Sequence, residues 1–504
     1  MYFCCAQLIF AFIPAPAYPT ATRMSIKRDL TSGIFYTSVA KYSGIVISLV
    51  ITSILSRLLT PEDFGIVAVA SVIIVFFNIL GDIGIGPAII QHKGLTDEDI
   101  NHIYSFTIYL GAALSAVFAA LAHPIAEIYE DPTLTGVCRW LSLSIFFTCF
   151  GSVPMNLRYK NKEFKNIAGV TLAVQVLTGA VSIFFAYMGG GVYALVLSSV
   201  LSTGLLAVVY NLMAGLKFRP LIKMEPLRKI ASFSSYQFLS NLVAYLSGNL
   251  DKLLVGKLIN LTQLGFYEKS YKLMMMPLQN ISFVINPVML PIFSELQTDV
   301  RELGQKYFVL LKLLAFIAFP LGAILYFCGP ELILIIFGPQ WEESVAPFEI
   351  LTFSVAIQIL ASTAYPIFQA ANATKMLFVS RSWGAVFMVG AFCASIFGWG
   401  SIEAVSYGYL IGQIASTVQC FHALCRVLRT PVAQFYRMLV LPVAMSAVLF
   451  AAMWAISPLA AHLPMLPALL VKGIAGTLLS LALVQLSGAY DIVGFVKGRL
   501  RQRA

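Results

Sequence analysis

Ten ionisable residues fall inside otherwise apolar stretches of this 504-residue chain: Lys41, Asp82, Asp251, Lys252, Glu268, Lys269, Lys272, Lys312, Arg381 and Lys472. A charge in hydrocarbon is costly, so such a side chain normally faces a cavity or a partner and marks a path for an ion, a proton or a charged ligand. Lysines predominate. Lys269 and Lys272 are three apart, a spacing that places them on one face of a helix, and Lys41 has no acidic residue near it in sequence. A cationic wall in a low-dielectric setting suits an anionic ligand. A plainer reading stands beside it: Lys269 and Lys272 are within reach of a helix end, where lysines snorkel to the interface. Lys252 follows Asp251, which leaves pairing with an acid open for it.

The carboxylates divide into two groups. Asp82 lies in Gly81-Asp82-Ile83-Gly84-Ile85-Gly86-Pro87, where three glycines and a proline weaken a helix. It is either a protonatable group at a bend, hence a candidate for ion coupling, or a polar cap at an ordinary helix end. Asp251 is the second ion-coupling candidate. By contrast, Glu62 and Asp63 follow Thr60-Pro61, and Asp97, Glu98 and Asp99 follow Thr96. Those patterns are helix N-termini, with a hydroxyl cap, proline at the first position and acids at the positive helix end. Pro154, Pro277, Pro287, Pro291, Pro320 and Pro366 fall in or near apolar segments and are expected to kink them. No GxxxxGK[ST], HExxH or GxSxG motif occurs, the eight cysteines form no CxxC pair, and the five histidines form no metal spacing. Neither catalytic residues nor a metal or cofactor site is expected.

The elements that must position these residues are membrane-spanning helices. The chain is 59% apolar and only 11% charged, with a mean hydropathy of +0.85, whereas a soluble globular protein is about a quarter charged. Spanning segments of about 20 residues can be placed at 33–56, 64–90, 104–125, 137–155, 166–188 and 192–213, then at 230–258, 264–291, 307–327, 347–371, 376–397 and 402–424, and finally at 435–456 and 466–487. The net charge of +10 gathers in alternate gaps: Arg158 to Lys165, Lys217 to Lys229, Arg426 to Arg437, and Lys497 to Arg503. This is a positive-inside pattern rather than a nucleic-acid footprint, and it puts both termini in the cytoplasm. The expected organisation is an all-α, fourteen-helix membrane protein. An amino-terminal lobe spans 24–213, a basic linker 214–229, a second lobe 230–425, and a final helix pair with a basic tail 426–504. Residues 1–23 hold an apolar stretch and three prolines with no basic n-region before them, so Met24 reads as the natural start.

The halves repeat. Leu58-Leu59-Thr60-Pro61-Glu62-Asp63-Phe64-Gly65 aligns with Leu258-Ile259-Asn260-Leu261-Thr262-Gln263-Leu264-Gly265, and Ser152-Val153-Pro154-Met155 with Ala364-Tyr365-Pro366-Ile367. His123-Pro124 aligns, more distantly, with Gly329-Pro330. Six spans per half keep both halves in the same sense, as in transporters whose repeats are related by an axis along the membrane normal.

From about Lys27 onward the chain resembles the polysaccharide transporter family of bacterial O-antigen and exopolysaccharide flippases, the Wzx type. Its superfamily also holds multidrug antiporters and the lipid II flippase. The resemblance is carried by 58–65 with Gly81-Asp82-Ile83-Gly84, by Asp251-Lys252-Leu253-Leu254-Val255-Gly256-Lys257, by Leu264-Gly265-Phe266-Tyr267 and Tyr271-Lys272-Leu273, and by Pro277, Pro287, Pro291 and Ser294-Glu295-Leu296-Gln297. It implies two six-helix lobes, two extra helices, a central cleft lined by the first, second, seventh and eighth spans, and an undecaprenyl-diphosphate-linked glycan as cargo. Lys41, Lys269 and Lys272, with Lys252, are then candidates to bind that cargo. The implied setting is a monomer in a bacterial inner membrane, with membrane lipids around it and a polysaccharide polymerase as a candidate partner. Two other functions remain open on the residues: a membrane polymerase or lipid-sugar glycosyltransferase, and a drug antiporter. The lysines favour an anionic cargo over cationic drugs.

Overall fold

The computed structural model describes backbone residues 20–82, 85–91, 94–221, 223, 225, 235–297, 299–460 and 462–490. Side chains are described from Thr37 onward within these ranges, except at 82, 87–88, 91, 235–244, 246–247, 284, 286–288 and 290–291. The expectations for residues 1–19, for Arg228 and Lys229 of the linker and for the basic tail from 491 lie outside the described residues. In chain order the helices are α1 Thr20–Leu58, α2 Pro61–Asp82, α3 Ile85–Gln91, α4 Asp97–Tyr129, α5 Thr133–Lys160, α6 Phe164–Tyr187, α7 Tyr193–Ala214, α8 Ser235–Leu258, α9 Leu261–Ser294, α10 Val300–Phe327, α11 Gly329–Phe337, α12 Val345–Ala370, α13 Thr374–Trp399, α14 Ile402–Val427, α15 Val432–Ala460 and α16 Met465–Leu486. A 3-10 segment, Pro339–Ser344, precedes α12.

All but α3 and α11 are long, so fourteen long helices fall where the fourteen apolar segments were placed. Eleven of them are long and apolar enough to cross a membrane by length and composition. The other three are α8, α9 and α14, and all three carry charges or amides in their interiors: Asp251 and Lys252; Glu268, Lys269 and Lys272; Gln413 and Gln419. The outward faces are apolar, with Phe184, Leu212, Trp454 and Leu486 each more than 60% exposed on the isolated chain. In water that would be an aggregation surface; it is what a lipid-facing helix requires.

Several helix starts are fixed locally. Thr60 Oγ1 accepts from the Asp63 amide at 3.2 Å while Asp63 Oδ2 accepts from the Thr60 amide at 2.9 Å. Thr96 and Asp99 form the same reciprocal box. The acids at both places are therefore caps. At the equivalent position of the repeat Asn260 caps α9, its Oδ1 accepting from the Gln263 amide at 2.7 Å.

The chain forms two compact units, residues 1–245 and 246–504. The division falls within α8, further along than the linker at 214–229. The units share part of their internal wiring. In the first, α5 packs against α2, α4 and α7, and α6 packs against α7. In the second, α12 packs against α9, α10 and α14, and α13 packs against α14. Close approach is allowed by small residues: a Cβ on Gly111 would lie 2.6 Å from that of Cys149, and one on Gly408 would lie 2.5 Å from Ser395 Oγ. The turns recur too. Pro154 and Pro366 both sit inside their helices, which end at left-handed Lys162 (φ 59°) and Asn372 (φ 55°). The third alignment behaves differently. Pro124 lies inside the unbroken α4, whereas Pro330 opens the separate helix α11. In the second unit α15 and α16 pack on α10 around Ala323, Phe327, Leu449 and Met453.

Candidate functional site: a charged and aromatic cluster on α8 and α9

Only Ile259 and Asn260 separate α8 from α9, so residues about sixteen apart meet across the turn. Two consecutive pairs do so. The Tyr267 hydroxyl donates to Asp251 Oδ2 at 2.8 Å, with both residues fully buried. Lys252 Nζ lies 2.7 Å from Glu268 Oε2 and 4.7 Å from the centre of the Tyr271 ring. Lys252 is thus ion-paired, the alternative that its sequence neighbourhood left open. Asp251 Oδ1 is buried without a hydrogen-bond partner among the described residues. A carboxylate of this kind has one oxygen satisfied and one left for a proton or a cation.

The aromatic wall continues into the bundle. The Tyr271 ring packs edge-on against Tyr409 at 5.6 Å. The Tyr409 hydroxyl donates to Gln358 Oε1 at 3.0 Å, and Gln358 Nε2 donates to Ser354 Oγ at 2.8 Å. Side chains of α9, α12 and α14 are thereby tied by buried polar contacts, which orient one another in a low-dielectric interior.

Lys269 and Lys272 have separate fates. Lys269 is only 2% exposed, with Nζ 4.9 Å from the ring centres of both Phe337 and Trp341. That is cation–π geometry. The two rings belong to the connection 328–346, which folds back on α9: the Ser270 hydroxyl donates to the Ser344 carbonyl at 2.7 Å, and the Ser344 hydroxyl to the Phe266 carbonyl at 3.0 Å. Lys272, one turn on, is exposed on the isolated chain. Lys41 is half-buried in α1 of the first unit. Asp82 is the last described residue of α2, and α3 begins at Ile85. Its side chain and the bend expected at the glycine-rich stretch lie outside the described residues. Of the remaining intramembrane charges, Arg381 lies over the Tyr365 ring at 4.3 Å, and Lys472 pairs with Glu331 of α11 at 2.5 Å.

A family profile described as polysaccharide biosynthesis protein matches residues 54–346, more than half of the chain and including α8, α9 and the Trp341 connection. The chain belongs to this polysaccharide biosynthesis protein family. Relatives agree over most of their lengths. The chain is 23% identical to the teichuronic acid biosynthesis protein TuaB of Bacillus subtilis (strain 168), over 84% of this chain and 88% of that one. It is 22% identical to the lipopolysaccharide biosynthesis protein WzxC of Escherichia coli (strain K12), over 83% and 86%. It is 20% identical to the succinoglycan biosynthesis transport protein ExoT of Rhizobium meliloti (strain 1021), over 78% and 76%. Among solved structures, the lipid II flippase MurJ in an inward closed conformation superposes with a TM-score of 0.69 at 13% identity, covering 90% of this chain and 98% of that one. This likeness establishes the fold.

Within this family member, Tyr267, Tyr409 and Gln358 were not legible as site residues. A tyrosine in an apolar run looks like core, and only the meeting of α9, α12 and α14 shows which polar ends face each other. The nearest sequence signal was the sixteen-residue register of Asp251-Lys252 with Tyr267-Glu268.

Proposed function

We propose that the protein flips a lipid-linked oligosaccharide, an undecaprenyl-diphosphate-linked repeat unit, across the bacterial inner membrane by alternating access of its two lobes. The observation that carries this reading is a set of charges on α8 and α9 within a fold that matches MurJ, itself described as a lipid II flippase, over nearly all of both chains. The relatives' names support it. They concern teichuronic acid, lipopolysaccharide and succinoglycan, one of them as a transport protein, so what they have in common is not one sugar. In this reading Lys41, Lys269 and Lys272 serve the anionic diphosphate. Lys272 is the contact group, and Lys269, under its aromatic cover, holds the 328–346 connection in place. Lys252 is tuned by Glu268, and Asp251 and Asp82 are the candidate coupling groups. Both termini are cytoplasmic in this reading. No chemical step is assigned to the protein, which acts alone or beside a polymerase.

A deletion strain separates the readings. Loss of a flippase leaves lipid-linked repeat units on the cytoplasmic side, loss of a polymerase leaves single units outside, and loss of a glycosyltransferase leaves no complete unit. Replacing Lys41, Lys269 and Lys272 together by alanine should cut export at normal protein abundance, and Lys→Arg should be milder because phosphate accepts either cation. Full export by the triple variant removes the lysines from the mechanism. Alkaline phosphatase fused after Gly189 should be active and after Lys223 inactive; the reverse overturns the orientation.

A further inference from the structure

The first unit contains a cavity of about 390 Å³ between α2, α3, α5 and α7. Its volume is near the lower bound for small-molecule sites, roughly 300–1,000 Å³. It is too small for an oligosaccharide and suits a single ring. Among the described residues its lining holds no Asp, Glu, His, Lys or Arg. The polar side chains are Asn78, Thr148, Ser152, Asn156, Thr203 and Tyr210, set against the Phe147 ring.

These groups have a common bias. The Thr148 hydroxyl donates to the Ser144 carbonyl at 2.7 Å, the Thr203 hydroxyl to the Ser199 carbonyl at 3.0 Å, and Asn156 Nδ2 to the Ser152 carbonyl at 2.9 Å. The two threonine hydroxyls and one Asn156 N–H are thus turned back on their own helices, leaving the threonine lone pairs for the cavity. Asn78 Oδ1 is a buried acceptor without a partner among the described residues. An unsatisfied buried acceptor is costly and is explained when a ligand supplies the donor. Threonine acceptors, amides, an aromatic face and no charge among the described lining residues fit a molecule with several O–H groups, an apolar C–H face and no charge of its own.

We infer that this cavity is a subsite for one uncharged sugar ring of the transported glycan, with Asn78 and Thr203 accepting hydrogen bonds from its hydroxyls and Phe147 meeting its C–H face. The inference rests on the flippase reading and adds to it the part of the cargo that the first unit holds.

The test uses purified full-length protein in lipid nanodiscs and saturation-transfer NMR. Methyl glucoside, methyl galactoside and N-acetylglucosamine are compared with glucuronate and tetraethylammonium. At least one neutral glycoside should bind, and neither ion should. Asn78→Leu should weaken binding by roughly three- to tenfold, as should Thr203→Val, the effect of one hydrogen bond. The melting temperature of Asn78→Leu should stay level or rise, since leucine removes an unsatisfied acceptor without changing shape. Added undecaprenyl-linked repeat unit should displace the glycoside. The inference is overturned by preferred binding of either ion, by no glycoside binding, by equal binding to wild type and Asn78→Leu, or by a glycoside that the lipid-linked unit cannot displace. A variant that no longer binds glycoside yet exports fully in cells sinks the subsite alone; failure of the flippase reading shows separately, as a deletion strain without accumulated lipid-linked units.

Discussion

The two units build the same frame and fill it differently. In the first, α2, α5 and α7 surround a cavity lined by polar groups, among them Asn78 and Asn156, and by no charged side chain among the described residues. In the second, the corresponding trio α9, α12 and α14 is bridged by Tyr271, Tyr409, Gln358 and Ser354, and α8 adds Asp251 and Lys252 beside it. The second unit also carries two further helices, α15 and α16, packed on α10. A duplicated scaffold can thus divide its work: neutral space in one copy, and charge held in a satisfied polar network in the other.

The largest test of this asymmetry concerns the added helices. Lys472 of α16 and Glu331 of α11 are paired at 2.5 Å with only 8% and 12% of their side chains exposed. Lys472→Met leaves Glu331 buried and uncompensated, which should cost about 3–5 kcal/mol. The double variant Lys472→Met, Glu331→Leu should recover most of it. Thermal unfolding in detergent measures both, and a double variant as unstable as the single one shows that the pair is not what fastens α16. Next in size is the bridge across the second trio. Tyr409→Phe orphans a buried Gln358 oxygen and should cost about 1–3 kcal/mol. Tyr210→Phe in the first unit removes a hydroxyl 3.3 Å from that of Thr171 beside the cavity. It should cost no more than about 1 kcal/mol, because water or a ligand can replace the partner. Equal losses would mean that the two interiors are alike after all. Smaller again are the caps. Thr60→Ala and Asn260→Ala should each cost about 1 kcal/mol. Near-identical values support a shared local device, and a large difference separates the two starts.

That shared device is also where the sequence was most readable. Thr60 to Asp63 and Asn260 to Gln263 announce helix starts through side chains that bond within three residues, so no tertiary knowledge is needed. The apolar segments were legible as well, since a bilayer sets a length for each span, and eleven of the described helices meet it. The candidate site was legible only by residue type. Lys269 and Lys272 shared a face on paper, but one is enclosed by Phe337 and Trp341 and the other is exposed. Nothing local in 261–294 reports that the distant segment 328–346 will fold over one of them. The short helix of that connection begins at Gly329-Pro330, where the aligned Pro124 leaves its own helix unbroken. The cavity beside Asn78 was invisible because empty space belongs to no residue.

The smallest expected effect lies at the turns that end α5 and α12. Both reverse through a left-handed residue, and the amides of Glu163 and Ala373 donate to Arg158 and Phe368 at 3.0 and 2.8 Å. Only the first has an ionisable side chain at that position. The Arg158 guanidinium hydrogen-bonds Glu163 Oε2 and also the Met213 carbonyl at the end of α7. That hydrogen bond, with a smaller one from Asn166, holds the Glu163 carboxyl below its ordinary range. A carboxylate with a depressed folded-state pKa contributes stability above its unfolded value. The contribution is lost as pH falls through the folded value. A partly exposed pair is worth under about 1 kcal/mol. Amide exchange at 161–164, corrected for intrinsic chemistry, should therefore lose protection between pH 6 and pH 3 relative to 371–374. Glu163→Gln should remove that difference at every pH. If the two turns lose protection in parallel, or if Glu163→Gln keeps the dependence, the ion pair does not distinguish the base of the first unit from that of the second.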